Sequence, residues 1–223
     1  MSIRSLFKYA YDAGLIPTPV RYGHAFAKPG PALIRKERAK NGPRMFTPEE
    51  IRRMMNAAGP ELRAMILLGI NAGYGNTDCS RLEPKHLNLQ TGWADFPRPK
   101  TGIHRRAKLW PETVQAITAW QAGRSSKDAG RVFARSNDGI VRDVAKLLQK
   151  LEINGRKHLG FYSLRHTFLT VAVETRDFPA VQLVMGHVDN SMSAHYRERI
   201  GDDRLHAVAE HVRKWVFGEG VAK

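Results

Sequence analysis

Apolar residues recur at helical spacing through most of the chain. The N-terminal stretch predicts an amphipathic helix over residues 3–15, with its apolar side chains close to a single face. Thr47-Pro48-Glu49-Glu50 is a strong helix start, because Thr47 can cap, Pro48 suits the first helical position and Glu50 completes a capping box. The same spacing predicts helices over 47–58, 61–72, 76–82, 111–122, 140–151, 163–175, 178–186, 191–198 and 202–217.

The pattern changes between His86 and Pro111, where short extended stretches replace the helical spacing. They predict three strands, at 87–89, 93–96 and 105–110, joined by turns at Gln90-Thr91-Gly92 and Thr101-Gly102. The expected fold class is therefore mainly α (α+β): a helical bundle with a small three-stranded antiparallel sheet.

Charge separates this chain from an average globular protein. It has 36 Lys and Arg against 21 Asp and Glu, a formal charge of +15 and a pI near 10.3. Such an excess favours a polyanionic partner, because phosphate binding is driven by counterion release. Ribosomal and membrane-surface proteins share this trait, so the charge alone does not identify the partner.

Other bulk features predict a soluble cytoplasmic protein. The single cysteine, Cys79, excludes an internal disulfide and fits a reducing compartment. No apolar stretch approaches the roughly 20 residues of a membrane span, and the first 15 residues lack the apolar core of a signal peptide.

Two parts of unequal size are expected, residues 1–43 and 44–223. The helix over 3–15 is too short to be stable unless it packs on something, so it is interpreted as the last helix of a domain whose earlier part is missing. Residues 28–44 combine basic residues with Pro and Gly and predict an extended basic linker. We favour a strap along a nucleic-acid backbone over a solvated tail, with Arg35, Lys36, Arg38 and Lys40 as contacts.

Three short motifs near the C-terminus carry the candidate chemistry: Arg165-His166-Thr167, Met185-Gly186-His187 and Tyr196. Arg165 and His187 are 22 residues apart, and Tyr196 follows nine residues later. Phosphodiester cleavage through a phosphotyrosine needs these three residue types at one site, since the phenol attacks phosphorus while arginine and histidine bind the phosphoryl oxygens. Ser163 is a candidate helix cap, which would place Arg165 beside backbone donors that favour a phosphate.

This order and spacing resemble the tyrosine recombinase (phage integrase) family, from about residue 44 to 217. The resemblance implies that Tyr196 is the nucleophile, that Arg165 and His187 hold the phosphoryl oxygens, and that neither ATP nor metal is required. It also implies double-stranded DNA as the partner, a DNA-clasping domain before residue 44, and a bacterial or phage origin.

The predicted second hairpin matches a further family feature. Lys100, in Arg98-Pro99-Lys100-Thr101-Gly102, lies where the family has a lysine that protonates the leaving 5′ oxygen. The strand that follows supplies Arg105, Arg106 and Lys108 as candidate phosphate contacts.

Two positions depart from the family pattern. Gly75 stands where the first catalytic arginine is expected, and Tyr162 replaces the histidine of His-x-x-Arg. A phenol donates a hydrogen bond but is a weak base near neutral pH, so Tyr162 is kept as a candidate donor. Because losing one preorganised donor costs roughly 10²–10³ in rate, two hypotheses stay open. The chain is either a site-specific recombinase or a catalytically impaired DNA-binding protein on the same fold.

Two further enzyme classes share part of this composition or chemistry. A zinc nuclease is disfavoured because no His-Glu-x-x-His or paired-cysteine spacing occurs among the nine histidines and one cysteine. A type IB topoisomerase shares the phosphotyrosine chemistry and is not separated by sequence.

The apolar face of the 202–217 helix has two interpretations. It either packs on its own domain or, as the resemblance implies, joins a neighbouring protomer in a tetramer on DNA. The sequence does not decide between them, because the same helical spacing serves both.

Overall fold

The computed structural model describes residues 2–23, 26–27, 29–40, 42–123, 130–187 and 199–218, with the side chain of Arg38 left out. The chain divides into two compact units, Met1–Gly42 and Pro43–Lys223. The larger unit contains the helices and strands that form the core, and its hydrogen bonds join segments far apart in sequence.

The described part of the small unit contains two helices. Helix α1, Ile3–Asp12, is capped by Ser2, whose Oγ accepts from the N–H of Ser5, and none of its residues is buried. Helix α2 spans Pro31–Lys40, so the extended linker predicted over 28–44 is wrong for this stretch. Proline suits the first turn of a helix, and the alanine, leucine, arginine and lysine residues that follow are strong helix formers.

The large unit begins with two helices that start as their sequences predict. Helix α3, Pro48–Ala57, carries the expected capping box between Thr47 and Glu50. Helix α4, Pro60–Ala72, is buried along most of its length and packs against α3 and three later helices. Helix α5, Asn76–Arg81, follows after a left-handed turn at Gly73.

The sheet forms as predicted, with shorter strands. Strands β1, Leu87–Asn88, β2, Trp93–Asp95, and β3, Arg106–Lys108, lie in the order β1-β2-β3 and pair antiparallel. Ala94 pairs with Ala107 and both are buried. Gly92 and Gly102 adopt φ angles of +67° and +69° in the two turns, a region in which a side chain is strained.

The remaining helices complete the core. They are α6, Pro111–Ala122; α7, Asn137–Lys150; α8, Tyr162–Ala172; α9, Phe178–Met185; and α10, Asp202–Phe217. A 3-10 turn at Val173–Thr175 extends α8. These bounds confirm the predicted helices to within a few residues, and the helix predicted over 191–198 lies outside the described residues.

Helix α10 packs within its own chain. Leu205, Val208, Val212 and Val216 are buried, and the helix contacts α3, α8, α9 and β3. The indole Nε1 of Trp110 donates to the carbonyl of Ala209 at 2.8 Å. The structure therefore favours intramolecular packing for this face, and assembly through α10 stays a prediction. No helix in the described part of the chain is long and apolar enough to cross a membrane.

Candidate active site

Arg165 is the buried centre of the candidate site. It lies in the first turns of α8, 2% exposed, and its guanidinium donates to the carbonyls of Gly73 and Met185, both at 2.6 Å. Burial, followed by the nearby charge of Arg98, lowers the pKa of Arg165 to about 10, so the group stays charged at neutral pH. Among the described residues it forms no ion pair: two carbonyl oxygens accept from it, and Asp78 stabilises its charge only from a distance, so the buried cation favours an anionic ligand.

The cap expected at Ser163 is not the one observed. Phe161 is the N-cap of α8, and Ser163 lies inside its first turn. There the Ser163 hydroxyl accepts from the N–H of Gly160 at 3.2 Å, which still pairs a backbone donor ahead of the helix.

His187 lies beside Arg165. A guanidinium can only donate, so its 3.1 Å contact with Nε2 makes that nitrogen the acceptor and leaves the ring proton on Nδ1. Burial, then the charges of Arg165 and Arg98, lower the pKa of His187 below its ordinary 6.5. The ring is therefore neutral at pH 7, and Nδ1–H is available as a donor.

A pocket of about 380 Å³ opens next to Arg165. It is lined from three directions: by Gly75 to Asp78 and Arg81 of the α5 segment, by Arg98 to Lys100 of the β2–β3 hairpin, and by Tyr162 and Arg165 of α8. Lys100 is exposed at the turn of this hairpin. The N–H groups of Thr101 and Gly102 both donate to the carbonyl of Arg98 and close the turn. The structure thus brings Arg165, Tyr162 and Lys100 to one pocket, with His187 in contact through Arg165.

The two departures from the family pattern touch each other. A Cβ added at Gly75 would lie 3.3 Å from the ring of Tyr162, a contact tighter than ordinary packing. Tyr162 also meets His166 edge-on, with ring centroids 5.2 Å apart. A side chain at position 75 would therefore require the ring of Tyr162 to shift by a few tenths of an ångström.

Arg105 is buried rather than exposed on the sheet, and its role as a phosphate contact stays a prediction. It is 0% exposed, its Nη1 lies 3.2 Å from Oδ2 of Asp78, and its Nε donates to the carbonyl of Phe96. Its guanidinium carbon also lies 4.0 Å from the ring centre of Tyr74. The cause is strand alternation, which places residue 105 on the core face of the sheet with Ala107 and Leu109.

Asp78 joins this buried arginine to the wall of the pocket. The same Oδ2 accepts from the N–H of Gly75 at 2.7 Å and so fixes the start of α5. Asp78 is not among the candidate site residues that the sequence indicates. The alternating positions of Arg105, Ala107 and Leu109 in the sequence were the available signal that this arginine faces the core, where it meets the Asp78 carboxylate.

Arg106 and Lys108 lie on the other face of β3. Arg106 pairs with Asp95 at 2.6 Å and Asp202 at 2.9 Å, and it stacks on Trp93. Lys108 donates to the carbonyl of Thr91 at 2.7 Å. Both are thus engaged within the protein, and their role as phosphate contacts stays a prediction.

Of the remaining predicted residues, some are exposed on α2 and others are not described by the structure. Arg35, Lys36 and Lys40 are exposed on α2, where Lys40 pairs with Glu37. The side chain of Arg38 is not described, and Tyr196 lies outside the described residues. Within the described part of the chain, no group of three or more His, Cys, Asp or Glu side chains is placed to hold a metal ion.

The sequence that forms this site matches the sequence model of a known protein family. The sequence model of the phage integrase family matches residues 44–200, which is most of the large unit. The chain belongs to the phage integrase family. A search of the curated proteins found no match.

Solved structures of tyrosine recombinases and integrases share this fold. The XerA recombinase superposes with a TM-score of 0.57 at 20% identity, over 77% of this chain and 65% of its own. The integrase from mycobacterium phage Brujita gives 0.57 at 18% identity, over 94% and 68% of the two chains. A lambda integrase dimer bound to a COC′ core site gives 0.60 at 16% identity, over 89% and 58%. This integrase-family chain thus matches only part of the length of each relative.

Proposed function

We propose that the chain is a site-specific DNA recombinase that cuts and rejoins DNA through a 3′-phosphotyrosine. The observation that carries the proposal is Arg165, a buried cation without a carboxylate partner among the described residues, next to neutral His187 and open to a basic pocket. Such preorganised donors in a site that excludes water are the arrangement that stabilises charge at a phosphorus centre.

In the proposed reaction, the Tyr196 oxygen forms a bond to phosphorus and the bond from phosphorus to the 5′ oxygen breaks. The phenolic proton is released to water, and Lys100 protonates the departing 5′ oxygen. Arg165 and His187 bind the non-bridging oxygens, and Tyr162 donates a hydrogen bond beside them. A 5′-hydroxyl from a second strand then reverses the step.

DNA binding is proposed on the same grounds. Several solved relatives are DNA complexes, among them the integrase of the Tn1549 transposon with circular intermediate DNA. The formal charge of +15 fits a polyanionic partner. We assign the exposed Arg35, Lys36 and Lys40 of α2, with Arg38 of the same helix, as further contacts to the DNA backbone.

A second candidate function is DNA binding without cleavage. The observation that favours it is that Gly75 and Tyr162 both line the pocket, at the two positions where the family pattern has an arginine and a histidine. This candidate predicts that replacing Tyr196 leaves every activity unchanged.

Covalent trapping separates the two candidates. A DNA site would first be selected from a pool of random-sequence duplexes and then prepared as a nicked suicide substrate. We expect a slowly migrating protein–DNA band for the wild type that is lost in Tyr196→Phe and kept in the control Tyr9→Phe, an exposed tyrosine of α1. Salt-sensitive binding without any band in the wild type would favour the non-cleaving candidate.

A further inference from the structure

The hairpin that carries Lys100 also brings a second guanidinium to the pocket. We propose that Arg98 binds the scissile phosphate together with Arg165 and offsets the arginine that Gly75 lacks. This inference rests on the proposed function and adds a residue to its site.

The backbone of Arg98 is fixed on both sides. Its N–H donates to the carbonyl of Ile103 at 2.9 Å, and its own carbonyl accepts from the N–H groups of Thr101 and Gly102 at 3.1 and 2.8 Å. The left-handed Gly102 closes this turn. The backbone of Arg98 is therefore held by main-chain hydrogen bonds, which do not depend on the identity of its side chain.

The stem of Arg98 lies against the end of α9. Gly186 has a φ of +59°, and a Cβ built on it would lie 3.1 Å from the Cβ of Arg98. Glycine at this position lets the hairpin approach closely, next to His187 and beside the carbonyl of Met185 that holds Arg165. This close contact between the hairpin and the end of α9 places Arg98 near the residues that surround Arg165.

The Arg98 charge acts on the centre of the site. After burial, Arg98 is the largest influence that lowers the pKa of Arg165, and it also lowers the pKa of His187. Within the described part of the chain its guanidinium has no hydrogen bond or ion pair, and the residue lines the pocket. Two residues of like charge thus line one pocket, an arrangement that a bound phosphate would stabilise.

Position 75 cannot supply this charge in the present structure. A Cβ there would lie 3.3 Å from the ring of Tyr162, so an arginine would require this ring to shift by a few tenths of an ångström. Arg81 also lines the pocket, but it is exposed at the end of α5 and is not among the main influences on Arg165. Arg98 is the better placed guanidinium.

The test is single-turnover cleavage of the nicked substrate by wild type, Arg98→Gln and Arg98→Lys, with Arg142→Gln as a control. Arg142 is an exposed arginine of α7 outside the pocket, and its replacement removes the same unit of charge. We expect Arg98→Gln to slow cleavage by about 10²–10³-fold. Arg98→Lys should retain part of the rate, and Arg142→Gln all of it.

A second substrate distinguishes phosphate binding from a structural role. It carries a methylphosphonate at the scissile position, which replaces one non-bridging oxygen by an uncharged methyl group. If Arg98 neutralises phosphate charge, the loss in Arg98→Gln should shrink to less than about 10-fold on this substrate, because less charge develops there. An equal loss on both substrates, or no loss on the phosphodiester, would overturn the inference.

Failure of the proposed function has a different signature. If wild type itself forms no covalent band, recombinase activity is refuted while Arg98 is still tested by DNA binding. Loss of one phosphate contact should reduce the slope of log K against log salt concentration by about 0.9 in Arg98→Gln and leave it unchanged in Arg142→Gln. Equal slopes for wild type and Arg98→Gln would refute the role of Arg98.

Discussion

At the residue scale, the buried ion pair of Asp78 and Arg105 makes a sharp prediction. Asp78→Asn leaves a fully buried guanidinium without its carboxylate, so the free energy of unfolding should fall by about 3–5 kcal/mol. Adding Arg105→Met, which replaces the cation by a shorter, flexible apolar chain, should recover much of that loss. Urea denaturation at neutral pH measures both variants.

Asp95→Asn is the matched control for this pair. Asp95 pairs with Arg106 but is about half exposed, so its replacement should cost less than about 1 kcal/mol. A cost for Asp78→Asn no larger than that of Asp95→Asn would contradict the importance assigned to the buried pair.

At the scale of elements, Asn71 connects α4 to the sheet and to α6. Its Oδ1 accepts from the N–H of Trp110 at 2.8 Å and the hydroxyl of Thr113 at 2.9 Å, and its Nδ2 donates to the carbonyl of Lys108. Asn71→Leu leaves these groups without their hydrogen-bond partner. We therefore expect the free energy of unfolding to fall by about 1–3 kcal/mol for each unpaired group. Amide hydrogen exchange at Trp110 should accelerate with the fall in stability.

The control at this scale is Asn88→Ala at the exposed end of β1. Asn88 accepts from the N–H of Thr91 at 3.0 Å, where water can replace the lost bond. The expected cost is about 0.5–1.5 kcal/mol. If the two variants were equally stable, Asn71 would not be the junction between these elements.

At the scale of the whole molecule, three histidines make stability fall in mild acid. Burial is the first cause that lowers the pKa of His86, His166 and His187 below 6.5. Well above pH 6.5 these histidines are neutral in both states and contribute no difference. As the pH falls below 6.5, the unfolded chain binds protons that the folded chain does not, so the free energy of unfolding decreases.

Urea midpoints between pH 7.5 and 5.5, without DNA, measure this effect. The double variant His86→Gln with His166→Gln should show a shallower decrease than the wild type. A wild-type midpoint that stayed constant or rose over this interval would contradict the sign. Carboxylates such as Asp202, whose pKa the hydrogen bond from Arg106 lowers, lose their contribution only in a separate window below about pH 3.8.

Much of the fold follows from sequence because its signals are local. Helical spacing, the Thr47 capping box and the glycines at 92 and 102 each act within a few residues, and the helices and hairpins confirm them. The error at α2 has a local cause too, since the prolines and glycines around this stretch obscure the helix formers between Pro31 and Lys40.

The order of the motifs, the basic charge and the family resemblance were likewise determined by the sequence alone. Only the tertiary structure decided that Arg105 is buried, that Tyr162 covers Gly75, and that Arg98 reaches the pocket beside Arg165. The reason is physical: these contacts join residues that are distant along the chain. Their partners are set by how α5, α8 and the hairpin pack against one another, and no local pattern records that packing.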